Sequence, residues 1–146
     1  MNKAQKGFTL IELVVVITIL GILAAFAFPR FAALEVEARI AATEGLAGSL
    51  RAGSALAHSM FLVNGGVAVV MEGQAVDMVA GYPDGTLAGI TAALQDITGF
   101  ADTYVAGPPN VATFETAGGT ATQCTVTFTA AVAPASPTIG IDTSAC

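Results

Sequence analysis

The sequence predicts an α+β fold in which one long N-terminal helix, apolar in its first half, packs against a small antiparallel β-sheet head. An apolar run from Phe8 to Phe28 is 21 residues long, and a helical pattern continues beyond Pro29. After Asn64 this pattern gives way to short strand-like runs separated by Gly and Pro. With 146 residues, the chain has room for one small domain beside the helix.

The apolar run predicts a segment that spans a membrane at about residues 8–30. As a helix it would be roughly 30 Å long, which is the thickness of the bilayer's hydrocarbon core. Lys3 and Lys6 precede it, as in a secretory signal, but the run is too long for the short apolar region of a cleaved signal peptide. We therefore expect the helix to be kept, with the basic flank in the cytoplasm and everything after Phe28 on the far side.

Glu12 lies inside this apolar run. A carboxylate in hydrocarbon costs roughly 2.5 to 3.5 kcal/mol on insertion scales, so an intramembrane acid normally has a partner or a function. The alternative is that Glu12 reaches back to the membrane surface. We expect a partner.

Residues 31–64 continue the helix with two distinct faces. We expect the head to pack on an apolar stripe from about Ala42 onward, while Glu35 and Arg39, an i, i+4 pair, suit solvent or another subunit. A second set of mostly small residues, here called the seam, recurs at steps of three and four and would let helices approach closely. The seam can pack on the chain's own head or on neighbouring subunits, and we expect neighbours because parts of it lie opposite the stripe. The stripe comprises Ala42, Leu46, Leu50, Gly53, Ala57, Met60 and Phe61, and the seam comprises Leu34, Ala38, Ala41, Gly45, Gly48, Ala52 and Ala55.

The head is expected to comprise residues 65–146. Asn64-Gly65-Gly66 predicts the end of the helix, because Asn and Gly adopt left-handed backbone angles readily. Two strand-like runs joined by Glu72-Gly73-Gln74 predict a hairpin, and Asp84 is placed to cap a helix at about residues 85–97. The predicted strands are 67–71, 75–79, 104–105, 111–115, 124–131 and 138–142.

Charge and residue types exclude several functions. The net charge is −6, and only three arginines follow the two N-terminal lysines, which argues against nucleic-acid binding. His58, the only histidine, is expected to be solvent-exposed on a helix face rather than catalytic. No arrangement of nucleophile and base or phosphate-binding loop is present, so we expect no enzyme activity, no cofactor and no metal.

The two cysteines, Cys124 and Cys146, predict a disulfide. An even count in an exported chain favours a disulfide, since two thiols cannot fill a zinc site. Free buried thiols are the alternative.

Gly7-Phe8-Thr9-Leu10-Ile11-Glu12 and the apolar run, with Gly21 and Pro29, resemble the class III leader of type IV pilins and pseudopilins. The resemblance implies the type IV pilin fold and a leader peptide of residues 1–7. It implies that a prepilin peptidase cuts between Gly7 and Phe8 and methylates the new Phe8 amine. It also implies that Glu12 pairs with that amine on a neighbouring subunit, although the residues alone permit a pair within one chain.

Two further features follow from the resemblance. The helix between Gly21 and Pro29 is expected to lose some structure inside a filament, since Pro29 lacks an N–H and Gly21 is a weak helix former; a simple kink is the alternative. The segment from Cys124 to Cys146 is similar to the disulfide-bounded loop of type IV pilins. The head also resembles pilins of the mannose-sensitive haemagglutinin class in its GYPDG and CTVTFTAA stretches.

The resemblance predicts a type IVa-like major pilin, the structural subunit of an extracellular filament used for adhesion, aggregation or motility. The expected partners are further copies of the chain, the peptidase, an inner-membrane assembly platform, an outer-membrane secretin and, before assembly, the inner membrane. The alternatives are a pseudopilin of a type II secretion system and a minor pilin. The C-terminal loop favours the pilin, because major pseudopilins typically have a calcium-binding loop there and the nearby acids Glu115 and Asp142 are too sparse for one.

Overall fold

The computed structural model describes residues 7–116, 124–144 and 146. It divides into two units, of which the first ends at Val36 and the second begins at Glu37. A 54-residue helix, α1 (Leu10–Val63), is followed by eight strands and a π-helical turn (Leu87–Thr91) in the part described. The predicted α+β class is confirmed. The strands are β1 (Val69–Met71), β2 (Gln74–Val76), β3 (Met78–Val79), β4 (Tyr82–Pro83), β5 (Phe100–Val105), β6 (Val111–Thr116), β7 (Thr125–Thr129) and β8 (Thr138–Asp142).

The first half of α1 has the length and composition of a membrane span. None of residues 7–36 is buried, and the most apolar window of 18 residues has a mean hydropathy of 2.7. The Thr18 hydroxyl donates to the carbonyls of Val14 and Val15, so it brings no unpaired donor into this segment. Gly21 and Pro29 both lie inside α1, which is unbroken at them in the single chain. Loss of helix in a filament stays a prediction.

The second half of α1 buries the predicted stripe. Leu46, Leu50, Gly53 and Ala57 are all buried, and the contact with the head begins close to the predicted position. Ala42, however, is exposed. Its place is taken by Thr43, whose hydroxyl is satisfied by the Arg39 carbonyl at 2.8 Å and which can therefore be buried without an orphan donor.

The C-terminus of α1 is a Schellman motif at the predicted residues. Gly65 has a φ of +71°, and its N–H donates to the Leu62 carbonyl, while the Gly66 N–H donates to the carbonyl of Phe61. These bonds satisfy carbonyls that the end of a helix leaves unpaired. The chain is thereby turned back towards the strands of the head.

Two small hairpins follow the helix. β1 pairs with β2 around Glu72 and Gly73, whose φ values of 50° and 81° fit the two-residue turn favoured in hairpins. The predicted run 75–79 is not one strand, because β2 ends at Val76 and Met78–Val79 pairs instead with Tyr82–Pro83. Ala80 and Gly81 form this second turn, again with positive φ values.

The predicted helix at residues 85–97 is wrong apart from a short piece in its first half. Only Leu87–Thr91 is helical, and it is capped by Thr86 instead of Asp84. The Asp84 carboxylate accepts from the Gly85 N–H and from the Asn110 side chain. Because Asp84 is committed to the β5–β6 loop, it cannot cap a helix.

Thr86→Ala is expected to lower the free energy of unfolding by about 1 kcal/mol, because the Thr86 hydroxyl accepts from the Gly89 N–H at 3.1 Å. Urea unfolding of the full chain in detergent micelles measures the change. Thr86→Ser keeps the acceptor and should stay near wild type; an equal loss in both variants would contradict the capping role.

The main sheet has the antiparallel order β5-β6-β7-β8 and packs its inner face on α1. The inward residues of β6 and β7 alternate with outward ones, as period-two strands require. They form one core with the helix and the π-helical turn. Its buried members are Leu46, Ala47, Leu50, Ile90, Ala112, Phe114, Val126 and Phe128. A second cluster joins Ala57 and Ala93 to Val69 and Val76 of the first hairpin.

Polar side chains join the small elements to the rest of the head. Tyr104 donates to Asp102 and accepts from the Thr91 hydroxyl at 2.8 Å. Burial, together with the hydrogen bond to Asp102, raises the pKa of Tyr104 to about 12.

His58 is half-buried and not solvent-exposed as expected. Its ring stacks on Tyr82 at 4.0 Å, and its Nδ1 donates to the Gly81 carbonyl at 2.7 Å. These two contacts give His58 a structural role in joining α1 to the second hairpin.

Candidate assembly site on the N-terminal helix

The acid in the apolar run belongs to a capping box. α1 begins at Leu10, so Thr9 is the N-cap and Glu12 is the third helical residue. The Thr9 N–H donates to Oε2 of Glu12 at 2.9 Å, and the Glu12 N–H donates to Oγ1 of Thr9 at 3.3 Å. The Thr9 hydroxyl also donates to Oε2 at 2.5 Å. These reciprocal bonds satisfy two donors at the helix end and fix the Glu12 carboxylate beside the start of the chain's helix.

The predicted cleavage point lies just before the helix. Gly7 and Phe8 are exposed and have no regular secondary structure, and no described atom lies within 4 Å of a Cβ built at Gly7. A peptide bond outside a helix needs no unwinding before a peptidase can reach it. The remainder of the predicted leader, including Lys3 and Lys6, lies outside the described residues.

Phe8 and Glu12 lie on the same side of the helix start. With Ile11, Val15 and Val16 they line a shallow, mostly apolar hollow of about 380 Å³. The Phe8 side chain is 81% exposed. The site therefore combines one carboxylate with an apolar surface that the single chain leaves uncovered.

The seam on α1 is exposed along its whole length, from Leu34 to Ala55. No described atom lies within 4 Å of a Cβ built at Gly45 or Gly48. The buried stripe, at Leu46 and Leu50, lies on the opposite side of the helix. The alternative, that the seam packs on the chain's own head, is therefore wrong for its part from Ala38 to Ala55.

The two cysteines form the predicted disulfide, so the alternative of free thiols is wrong. Cys124 is fully buried, and its Sγ lies 3.3 Å from the Thr43 hydroxyl of α1. Arg39 donates to the Cys146 carbonyl at 3.1 Å. The expectation that Arg39 faces solvent or another subunit is wrong: it is half-buried and holds the end of the loop on α1.

Sequence reasoning missed three residues of this arrangement. Thr9 could have been found, because Thr-x-x-Glu before an apolar run is the sequence pattern of a capping box. Thr43 and Arg39 could not, because their partners are 81 and 107 residues away.

Comparison with known proteins identifies the motif at this N-terminus and the proteins that the chain resembles. Residues 2–28 match the family model of the prokaryotic N-terminal methylation motif. The type IV major fimbrial protein FimA of Dichelobacter nodosus is 38% identical over 100 residues, covering 62% of this chain and 61% of that protein. The type IV major pilin protein PilE1 of Neisseria gonorrhoeae is 35% identical over 99 residues, covering 68% of this chain and 38% of that protein. The chain thus spans about three fifths or less of these relatives, and no solved structure matches it.

The long helix, its capped acid and the matched motif define a protein with a prokaryotic N-terminal methylation signal. Over about 100 residues the chain is similar to proteins named as type IV major fimbrial proteins and pilins, and its N-terminus carries their kind of methylation motif. The proteins it resembles are named as fimbrial proteins and pilins, not as enzymes.

Proposed function

We propose that this chain is the major subunit of an extracellular type IV pilus, used for adhesion, aggregation or motility. The observation that carries the proposal is the division of α1 into two faces. One face is buried under the chain's own sheet, and the opposite face is an uncovered seam of mostly small residues. Such a seam lets helices of neighbouring copies approach closely. The relatives named as major pilins support the same role.

The assembly step begins with a cut between Gly7 and Phe8 by a prepilin peptidase, which then methylates the Phe8 amine. The cut creates a cation about one helical turn from Glu12. An unpaired carboxylate and an unpaired ammonium are both costly in hydrocarbon, so a neighbour's amine is drawn to Glu12. The apolar hollow at Phe8 and Glu12 offers space for the neighbouring chain.

The intramolecular pair remains an alternative, because Thr9 already holds Glu12 close to its own helix start. We favour pairing between subunits because the apolar surface around Phe8 and Glu12 is uncovered in the single chain and can receive a neighbouring chain. Either ammonium would neutralise the Glu12 charge.

Before assembly the chain would be held in the inner membrane by residues 8–30, with the leader in the cytoplasm. Growth of the filament would then require an inner-membrane platform and an outer-membrane secretin. Inside the filament we expect α1 to lose helix between Gly21 and Pro29, where an N–H is missing and a weak helix former lies close by.

A pseudopilin of a type II secretion system is the second candidate. The disulfide that closes the C-terminal segment favours the pilin. Cryo-electron microscopy of purified fibres separates these roles from that of a minor pilin. Fibres whose repeating unit is another pilin would contradict the major-subunit proposal.

Gly48→Leu is expected to reduce filament yield several-fold while leaving the subunit folded. Gly48 is exposed with open space around it, so leucine fits the single chain and improves helix propensity. In the filament it would hold neighbouring helices apart. The measurement is the ratio of sheared filament to membrane-held subunit.

Ala42→Leu is the matched control, because Ala42 is an exposed position of α1 outside the seam. It should assemble normally. Equal yields from Gly48→Leu and Ala42→Leu would contradict the packing role of the seam.

A further inference from the structure

Arg30 is a cation in an otherwise apolar part of α1. Phe28 and Phe31 beside it are 76% and 68% exposed, and Arg30 is exposed as well. On a helix, a side chain pairs with those three and four positions away, which for Arg30 are Phe26, Ala27, Ala33 and Leu34. Arg30 therefore has no acid at the positions where its own helix could pair it.

The nearest acid in the sequence is Glu35, five positions after Arg30. Five positions turn an α-helix by about 140°, so within one chain the two residues lie on different sides of α1. Both are exposed. The spacing thus suits a pair between two chains better than a pair within one.

Arg30 and Glu35 lie on opposite flanks of the seam. The seam alternates steps of four and three, which is the spacing of the a and d positions of a coiled coil. One further step of three back from Leu34 reaches Phe31, so Arg30 directly precedes this repeat and Glu35 follows its next member. These are the g and e positions, whose charges form salt bridges between helices and set partner choice and orientation.

The signs of the two charges favour parallel neighbours. In parallel helices the g flank of one copy faces the e flank of the next, which brings Arg30 to Glu35, whereas antiparallel helices would bring like flanks together. The proposed pair of the Phe8 amine with Glu12 joins a cation to an acid four positions later on the neighbour. Arg30 to Glu35 is a step of five, which differs by about 1.5 Å along the axis. One displacement between copies therefore serves both pairs.

We propose that Arg30 of one copy forms a salt bridge with Glu35 of a parallel neighbouring copy. The inference rests on the proposed assembly into a filament and names a contact that fixes the register of its helices. Before assembly, Arg30 can reach water or headgroups at the membrane surface. Once neighbouring helices cover Phe31 and Leu34, an unpaired guanidinium is costly, and the neighbour's carboxylate compensates it.

Glu35 can accept this bond whatever else it contacts. It already takes part in an interaction in the single chain. An ionised carboxylate has two oxygens and accepts several hydrogen bonds, so one partner does not exclude a second.

The test is the yield of sheared filament from cells that express the full chain as Arg30→Glu, as Glu35→Arg, or as both variants together. Each variant alone should lower the yield about tenfold or more, because it places two like charges in contact between copies. Coexpression gives each variant the partner that its own copies lack. Mixed filaments should then form within a factor of a few of the wild-type yield. A bridge within one chain predicts no such rescue.

Neutral variants keep the test valid if Glu35→Arg disturbs the fold beside Arg39. Arg30→Gln and Glu35→Gln introduce no like charges, and each should lower the yield several-fold. Combined in one chain they should lose no more than either alone, because both remove the same contact. Urea unfolding of each subunit in detergent micelles checks that it remains folded.

Glu37→Arg is the matched control, since it makes the same change of charge at an exposed position two residues from Glu35. Seven positions separate Glu37 from Arg30, so both belong to the same flank of the seam. Coexpression of Glu37→Arg should therefore not restore filaments of Arg30→Glu.

Wild-type yield from Arg30→Glu, or rescue by Glu37→Arg and not by Glu35→Arg, would overturn the salt bridge. So would additive losses in the two glutamine variants. These outcomes leave the proposed function intact, because filaments of the wild type still form. Absence of this chain from wild-type filaments would instead contradict the proposed function itself.

Discussion

Glu12→Ala is expected to leave the chain in the membrane but to lower filament yield by about tenfold or more. The variant leaves the neighbour's Phe8 ammonium without a counter-charge in an apolar environment. An unpaired charge there costs roughly 2.5 to 3.5 kcal/mol, and each 1.4 kcal/mol is about a factor of ten. Quantifying the subunit in membrane and sheared-filament fractions measures both parts of the expectation.

Glu12→Gln separates the two roles of this side chain. Glutamine at the third helical position can still accept from the Thr9 N–H, so it preserves the capping box without the charge. If charge pairing drives assembly, Glu12→Gln should fail nearly as badly as Glu12→Ala. Filament yield near wild type would instead mean that the cap is the important role, and the proposed pairing would be wrong.

The two variants also address which amine Glu12 meets. Mixing Glu12→Ala subunits with wild-type subunits in one cell tests a pair between chains, because a wild-type Glu12 can still meet the Phe8 amine of a variant. Partial incorporation of the variant is expected. Its complete exclusion would favour a pair within each chain.

Sequence patterns predicted most of the secondary structure, because helix ends and tight turns depend on a few neighbouring residues. The end of α1 at Gly65 depends on left-handed backbone angles that glycine adopts readily, and the hairpin at Glu72-Gly73 depends on turn chemistry. The strands 111–115 and 124–131 were predicted close to β6 and β7, whose residues alternate between buried and partly exposed as period two requires.

The failures came from long-range contacts. Residues 85–97 have helical spacing, but Asp84 bonds to Asn110 and the Asp77 N–H donates to the Ala88 carbonyl. These bonds to distant residues replace the regular helical ladder. His58 was misplaced for the same reason, because Tyr82, 24 positions later, folds onto its ring.

The N-terminal site was predictable because it is encoded in consecutive residues. Gly7, Phe8 and Glu12 lie within one short motif, and Thr9 completes a pattern that could have been read with it. The anchoring of Cys146 by Arg39 needed the fold, since no periodicity relates residues so far apart. The motif does not predict that the seam on α1 stays exposed. That exposure follows from the packing of the main sheet on the stripe.

Replacing both Cys124 and Cys146 with serine is expected to lower the free energy of unfolding of the head by about 3 kcal/mol. The disulfide links residues 22 positions apart, and closing a loop of this length restricts the unfolded chain by about that amount. Urea unfolding of the full chain in detergent, followed by circular dichroism in the strand region, measures the loss. The unfolding midpoint of the wild type should fall similarly after reduction.

Thr43→Val distinguishes the covalent bond from the contact beside it. Valine removes the hydroxyl that lies against Cys124 Sγ but keeps the disulfide and the volume of the side chain. Its effect should be about 1 kcal/mol, the usual contribution of a single hydrogen bond. If the serine pair lost no more stability than Thr43→Val, the loop would be held by its contacts with α1 and not by the disulfide. A full loss in the serine pair would assign the stabilisation to the disulfide and not to the contact with Thr43.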